Sequence, residues 1–150
     1  MKTVQIGVVG VDSGQLVLCD PCYIDSEWEK EDFQDIKKYK HKTTGEILQY
    51  RVDFDNYESP IAKHGGQTMN QLNSTGEWDQ VECDDTEHNF SYNACCKATL
   101  SKEGHGQLKY KMGHNGVGVA FSTTYGDGIY PVFANYNSHG ELVSVSVQFM

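Results

Sequence analysis

Cys19-Asp20-Pro21-Cys22 sets two thiols at i and i+3 after an apolar run, a spacing at which a redox dithiol or one half of a zinc site can form. A redox dithiol needs its first thiol activated at a helix N-terminus. Here an aspartate between the thiols opposes that, and the strand-turn-strand pattern around them leaves no room for a βαβ unit. A zinc site would draw its second half from Cys83, Cys95, Cys96 and His88. Adjacent Cys95 and Cys96 do not readily chelate one ion tetrahedrally, and Cys83 lies far from them in sequence. The expectation is therefore buried structural thiols, with no metal and no cofactor. The six histidines stand singly, and His64, His105, His114 and His139 sit beside or next but one to glycine, as turn residues do. His114 is the one candidate for a lone general base, without an identifiable partner.

Two further segments set a carboxylate beside small residues that expose backbone N–H groups: Asp12-Ser13-Gly14 and Tyr125-Gly126-Asp127-Gly128. Such segments can cradle an anion or aim an aspartate at a ligand donor. They can equally be hairpin turns, with the aspartate closing an Asx-turn. Aromatic residues are dense around the same segments, and aromatic faces beside glycine turns suit stacking on a ring. The candidate ligand-binding set is Asp12, Ser13, Asp20, Cys22, Tyr23, Trp28, Tyr125, Gly126, Asp127, Gly128 and Tyr130. No catalytic residue is assigned.

Strands must carry these segments. Period-two alternation and β-branched content predict strands over Thr3 to Val11, Gln15 to Leu18, Ile47 to Phe54, Gln107 to Met112, Gly116 to Ser122, Tyr130 to Tyr136 and Leu142 to Phe149. The last is the clearest, with Val143, Val145, Val147 and Phe149 on one side and Leu142, Ser144, Ser146 and Gln148 on the other. Glycine, then Gln or Glu, then a large apolar residue recurs five times, about 30 residues apart, and reads as recurrent turn chemistry in preference to a true repeat. A helix is expected from Glu27 to Lys40, with Ser26 as N-cap, acidic residues at its start and lysines at its end. A second is expected from Tyr92 to Lys102, capped by Ser91. The polar span 55–85, broken by Pro60 and Gly65-Gly66, is expected to be a long or mobile loop.

At 150 residues the chain is most simply one domain, 1–150, long enough to bury a core without staples. Fifteen glycines against three prolines suit a turn-rich β protein. A net charge of −9 with a single arginine, Arg51, excludes a protein that coats duplex nucleic acid by displacing phosphate counterions, and excludes an arginine clamp. No apolar window approaches the ~20 residues of a membrane helix, and the first residues do not form a signal peptide, so the expected location is the cytoplasm, with five thiols reduced.

The runs Val11-Asp-Ser-Gly-Gln-Leu-Val-Leu-Cys-Asp-Pro-Cys-Tyr23, Tyr92-Asn-Ala-Cys-Cys96, Gly116-Val-Gly-Val-Ala-Phe121 and Gly126-Asp-Gly-Ile-Tyr-Pro-Val132, with Trp28, resemble a family of uncharacterised bacterial and phage proteins. That family ends in a Gly-Asp-Gly-Val-Tyr-Pro-Val hairpin. The resemblance covers both ends of the chain and skips about residues 40–85. It implies a cytosolic protein of bacterial or phage origin, whose Asp-Pro-Cys-Tyr and Gly-Asp-Gly segments meet in space. It transfers no activity.

The fold class expected is mainly β (α+β), an antiparallel sandwich or coiled sheet of about seven strands with one or two short helices. The function expected is a non-enzymatic binding module for a small polar, nucleotide-like ligand or a host partner protein, acting by sequestration, with self-association left open. One competitor is a hydrolase or transferase in which Asp20 or Asp127 is the base and Cys22 or His114 the nucleophile or acid. Another is a structural or virion component, which calls for a flat apolar patch and self-assembly in place of a cleft.

Overall fold

The computed structural model describes residues 1–32, 37–81 and 89–150 and bears out the mainly β class. Among those residues it has nine strands in three antiparallel sheets of three. By density of contact the chain divides into two compact units, residues 1–30 with 85–150 and residues 31–84.

In the first unit, β1 (Lys2–Val11), β8 (Gly128–Tyr136) and β9 (Leu142–Val147) form one sheet in the order β1-β8-β9. A second sheet runs β2 (Gln15–Cys19), β7 (Asn115–Ser122), β6 (His105–Lys109). Helix α3 (Tyr92–Thr99) lies on β6 and β7, burying Ala94, Cys95 and Ala98 against Leu108, Val117 and Ala120, with Phe90 alongside. Ser91 is fully buried and caps this helix as expected, its Oγ accepting the Ala94 N–H at 3.0 Å.

The helix expected over Glu27 to Lys40 does not form. Only Tyr23–Ser26 (α1) is helical, Ser26 closes that turn where it was expected to open a helix, and Lys38–His41 is strand β3; residues 33–36 lie outside the described set. Capping and dipole terms contribute about 0.5–1 kcal/mol each. Against them stand the edge-on packing of Trp28 on Phe90 at 4.9 Å, the Glu29 N–H donated to the Phe90 carbonyl at 2.8 Å, and burial of Tyr39 between two strands.

The second unit is the sheet β4-β3-β5, with β4 Ile47–Gln49 and β5 Trp78–Gln80, and helix α2 (Met69–Ser74). Its core is Tyr39, Leu48, Phe54, Ile61, Met69, Leu72 and Trp78. The span expected as a long loop thus carries α2, β5 and a 3-10 turn at Ala62–His64, with a Thr68/Gln71 capping box opening the helix. Residues 82–88, which include Cys83 and His88, lie outside the described set. His64, expected as a turn residue, and His41 are mostly buried edge-on to the Trp78 ring, at 5.5 and 5.0 Å.

Candidate functional site: a corner between two sheets

β1 does not pair with β2, nor β7 with β8. β1 pairs with β8 from Lys2↔Tyr136 to Val11↔Gly128, and β2 pairs with β7 from Gln15↔Ser122 to Cys19↔Gly118. Asp12-Ser13-Gly14 and residues 123–127 are therefore not hairpin turns. They are the places where two strand partners leave one sheet together and enter the next, a corner made by strands that switch sheets. Three residues on one side face five on the other, and the surplus is folded up by hydrogen bonds. Asp127 Oδ1 accepts the Gly14 N–H at 2.8 Å, and the Thr123 N–H reaches back to the Gly14 carbonyl at 3.0 Å. The Gly126 carbonyl accepts from Thr123 Oγ1 at 2.6 Å and from the Tyr130 hydroxyl at 2.7 Å. Gly14 and Gly126 both take positive φ, 67° and 74°, where a Cβ would be strained.

The two carboxylate-bearing segments accordingly share one surface. Asp12, Ser13, Asp127 and Gly128 are exposed there, and Tyr125 is 69% exposed, whereas Tyr130 is buried beneath them, edge-on to Phe149 at 5.3 Å. Three residues not expected from sequence complete the surface. Tyr92, Cys96 and Thr99, at i, i+4 and i+7, share one face of α3, and that face meets Gln15 at the start of β2. Gln15 Nε2 donates to Cys96 Sγ at 3.4 Å, and Thr99 Oγ1 donates to Gln15 Oε1 at 2.8 Å. Partial burial raises the Tyr92 phenol above its ordinary pKa, as do the adjacent Cys96 thiol and its hydrogen bond; hydrogen bonds with Ser13 and Gln15 oppose this. At neutral pH the phenol thus keeps its proton and can donate. The i, i+4, i+7 polar stripe was visible in the sequence, but its partner 81 residues away was not.

Asp20, Cys22 and Tyr23 do not join this surface. They follow Cys19, at the opposite end of β2, four residues or about 13 Å from Gln15 at ~3.3 Å per residue. The Asp-Pro-Cys-Tyr and Gly-Asp-Gly segments therefore do not meet: a strand of the second sheet lies between them. Trp28 is also outside the corner, half-buried on Phe90.

The far end of β2 has its own geometry. Asp20 Oδ1 accepts the Cys22 N–H at 2.9 Å, and this bond, with one from the thiol, lowers the Asp20 carboxyl below its ordinary range. Desolvation first, then the hydrogen bond to Asp20 and its charge, push the Cys22 thiol up. Tyr23 meets Tyr110 edge-on at 5.0 Å, and Tyr110 stacks flat on His114 at 4.3 Å. The Tyr110 phenol is pushed up to about 12, chiefly by its hydrogen bond with Tyr23. The Cys22 and Tyr110 shifts favour the protonated, unreactive thiol and phenol, the reverse of what a nucleophilic thiol requires, while Asp20 stays ionised beside them. Cys22 is exposed, yet iodoacetamide at neutral pH is expected to alkylate it more slowly than an unstructured peptide thiol, and Asp20→Asn to speed the reaction. Mass-spectrometric rates at that peptide give the answer; an unchanged rate in Asp20→Asn would remove the assigned cause.

Among the described residues no group of three or more His, Cys, Asp or Glu side chains is arranged to hold a metal, and no helix is long and apolar enough to cross a membrane. No protein-family model, no curated protein and no solved structure matches the chain.

Proposed function

We propose that the chain is a non-enzymatic binding module of the bacterial or phage cytosol whose corner recognises a small polar, nucleotide-like ligand. The observation that supports this most is the 2.8 Å bond from the Gly14 N–H to Asp127, which ties two distant segments into one surface. Around that bond stand hydroxyl, carboxylate and amide groups of Asp12, Ser13, Gln15 and Tyr92, with the exposed Tyr125 ring to stack on a base or sugar. Groups held by a rigid scaffold lose little entropy on binding, which suits recognition. The likeness of Gly126-Asp-Gly-Ile-Tyr-Pro-Val132 to bacterial and phage sequences supports the origin. The hydrolase reading is weakened by the raised Cys22 thiol and by the strand between Asp20 and Asp127.

Native mass spectra of the protein purified without denaturant are expected to show a retained small molecule that is released unchanged on unfolding. Tyr92→Phe and Tyr125→Ala should each weaken its binding roughly tenfold and so lower its occupancy, the loss of one good polar or stacking contact of about 1.4 kcal/mol. Wild-type protein carrying only its polypeptide mass, or full occupancy in both variants, would count against the reading.

A structural component is the second reading. It is favoured by valines left half-exposed on the β1-β8-β9 sheet, including Val143 and Val145 at 53% each.

A further inference from the structure

β9 is an edge strand, and β8 is its only ladder partner among the described residues. Edge strands present unpaired backbone N–H and C=O groups, and monomeric proteins blunt them with lysine, proline, bulges or inward charges. The opposite edge of this sheet is blunted in that way: β1 carries Lys2, a register shift between Gln5 and Gly7, and glycines at 7 and 10. β9 is not. It reads Leu-Val-Ser-Val-Ser-Val, without charge, proline or glycine, and its one irregularity against β8 lies at its beginning, by Asn135/Tyr136. From Ser144 to Val147 the ladder is regular.

The five residues Val143-Ser144-Val145-Ser146-Val147 are a palindrome. In an antiparallel pairing of two copies centred on Val145, Val143 faces Val147 of the other copy and Ser144 faces Ser146, so valine meets valine and serine meets serine on every rung. No other centre within the strand does this for all five. The faces also continue. Val145 is level with Ala134 and Val4, and Val147 with Val132, which makes an apolar face. On the other face Thr3 Oγ1 donates to Asn135 Oδ1 at 2.7 Å and Asn135 Nδ2 to Ser144 Oγ at 2.9 Å, a polar ladder that stops at the edge with its next rung missing.

We infer that a second copy of this chain supplies that rung: two protomers join β9 to β9 about a two-fold axis through Val145, giving one six-stranded sheet. Such a contact is isologous, and the blunted β1 edges at the two ends of the joined sheet stop further growth, so the assembly closes at two. It stands independently of the ligand proposed at the corner.

Sedimentation velocity of the full chain is expected to show a concentration-dependent species of twice the 16.8 kDa protomer. Val145→Lys sets two like charges against each other on the axis while its exposed position preserves the protomer fold; it should weaken the dimer at least tenfold, whereas Val145→Thr should keep it. Register is read separately. In a Cys22→Ser background, cysteine introduced at 145 should oxidise to a dimer cross-linked 145 to 145, because facing Cα atoms about 4.5–5.5 Å apart suit a disulfide. Cysteine introduced at 143 should not link to its own counterpart. A monomer at every submillimolar concentration, a dimer indifferent to Val145→Lys, or linkage of 143 to 143 in place of 145 to 145 would each overturn the proposal.

Discussion

Phe90→Ala is expected to cost about 3–5 kcal/mol, the range for deleting a fully buried aromatic side chain. Phe90 is 1% exposed, and its removal strips contacts from α3, β6 and β7 and from the Trp28 ring set edge-on to it. A typical domain is stable by only about 5–15 kcal/mol, so the variant should be marginal. Urea denaturation followed by Trp fluorescence gives the loss. Phe90→Leu should cost less, since it refills much of the volume, and Val8→Ala, at a position 62% exposed, should stay within about 0.5 kcal/mol of wild type. A loss below about 1 kcal/mol for Phe90→Ala would mean that the core of this unit lies elsewhere.

Stability should also fall by a few kcal/mol as pH rises from about 9 to about 12. Cys95 faces inward from α3, and burial first, then the neighbouring Cys96 and Cys19, push its thiol from an ordinary 9.0 up to about 12. Below pH 9 both folded and unfolded chains keep the proton and the group is neutral in the balance. Above it the unfolded chain ionises freely while the folded one cannot, so alkali favours unfolding until the folded thiol also titrates. Tyr110, raised to about 12, and Tyr92, raised by partial burial, act with the same sign from an ordinary 10.0 upward. Urea midpoints measured across this window should decline, and Cys95→Ala should flatten the decline between pH 9 and 10. A curve of unchanged shape in Cys95→Ala would contradict the assignment.

The strands were legible from period-two alternation and β-branched content, which hold even in β1 and β9, where neither face is buried along most of the strand. Seven of the nine were expected, several to within a residue or two at each end, and the Ser91 cap placed α3. Local signals failed where tertiary contacts outweighed them. Ser26 and the lysines at 37, 38 and 40 look like the ends of a helix, but Trp28 and Tyr39 gain more by burial in a core than the caps supply. The corner failed for another reason. Tyr125-Gly-Asp-Gly128 has the same φ requirements whether the flanking strands pair with each other or with different partners, so turn chemistry cannot tell a hairpin from a change of sheet. The candidate residues accordingly divide between two places. Asp12, Ser13, Tyr125, Gly126, Asp127 and Gly128 come together over the buried Tyr130, whereas Asp20, Cys22 and Tyr23 sit at the other end of β2. Gln15, Tyr92 and Cys96 escaped notice because contacts across about 80 residues leave no trace in local pattern.

The most direct test is amide hydrogen exchange at Gly14, followed by NMR in wild type and in Asp127→Ala. If the two sheet crossings are pinned into one surface, the Gly14 amide exchanges slowly in the wild type and at least tenfold faster in the variant, a hydrogen bond of about 1.4 kcal/mol, while the amides of the Phe90 core keep their rates. A Gly14 amide that already exchanges freely in the wild type would show that the crossings are not joined there, and the proposed site would go with them.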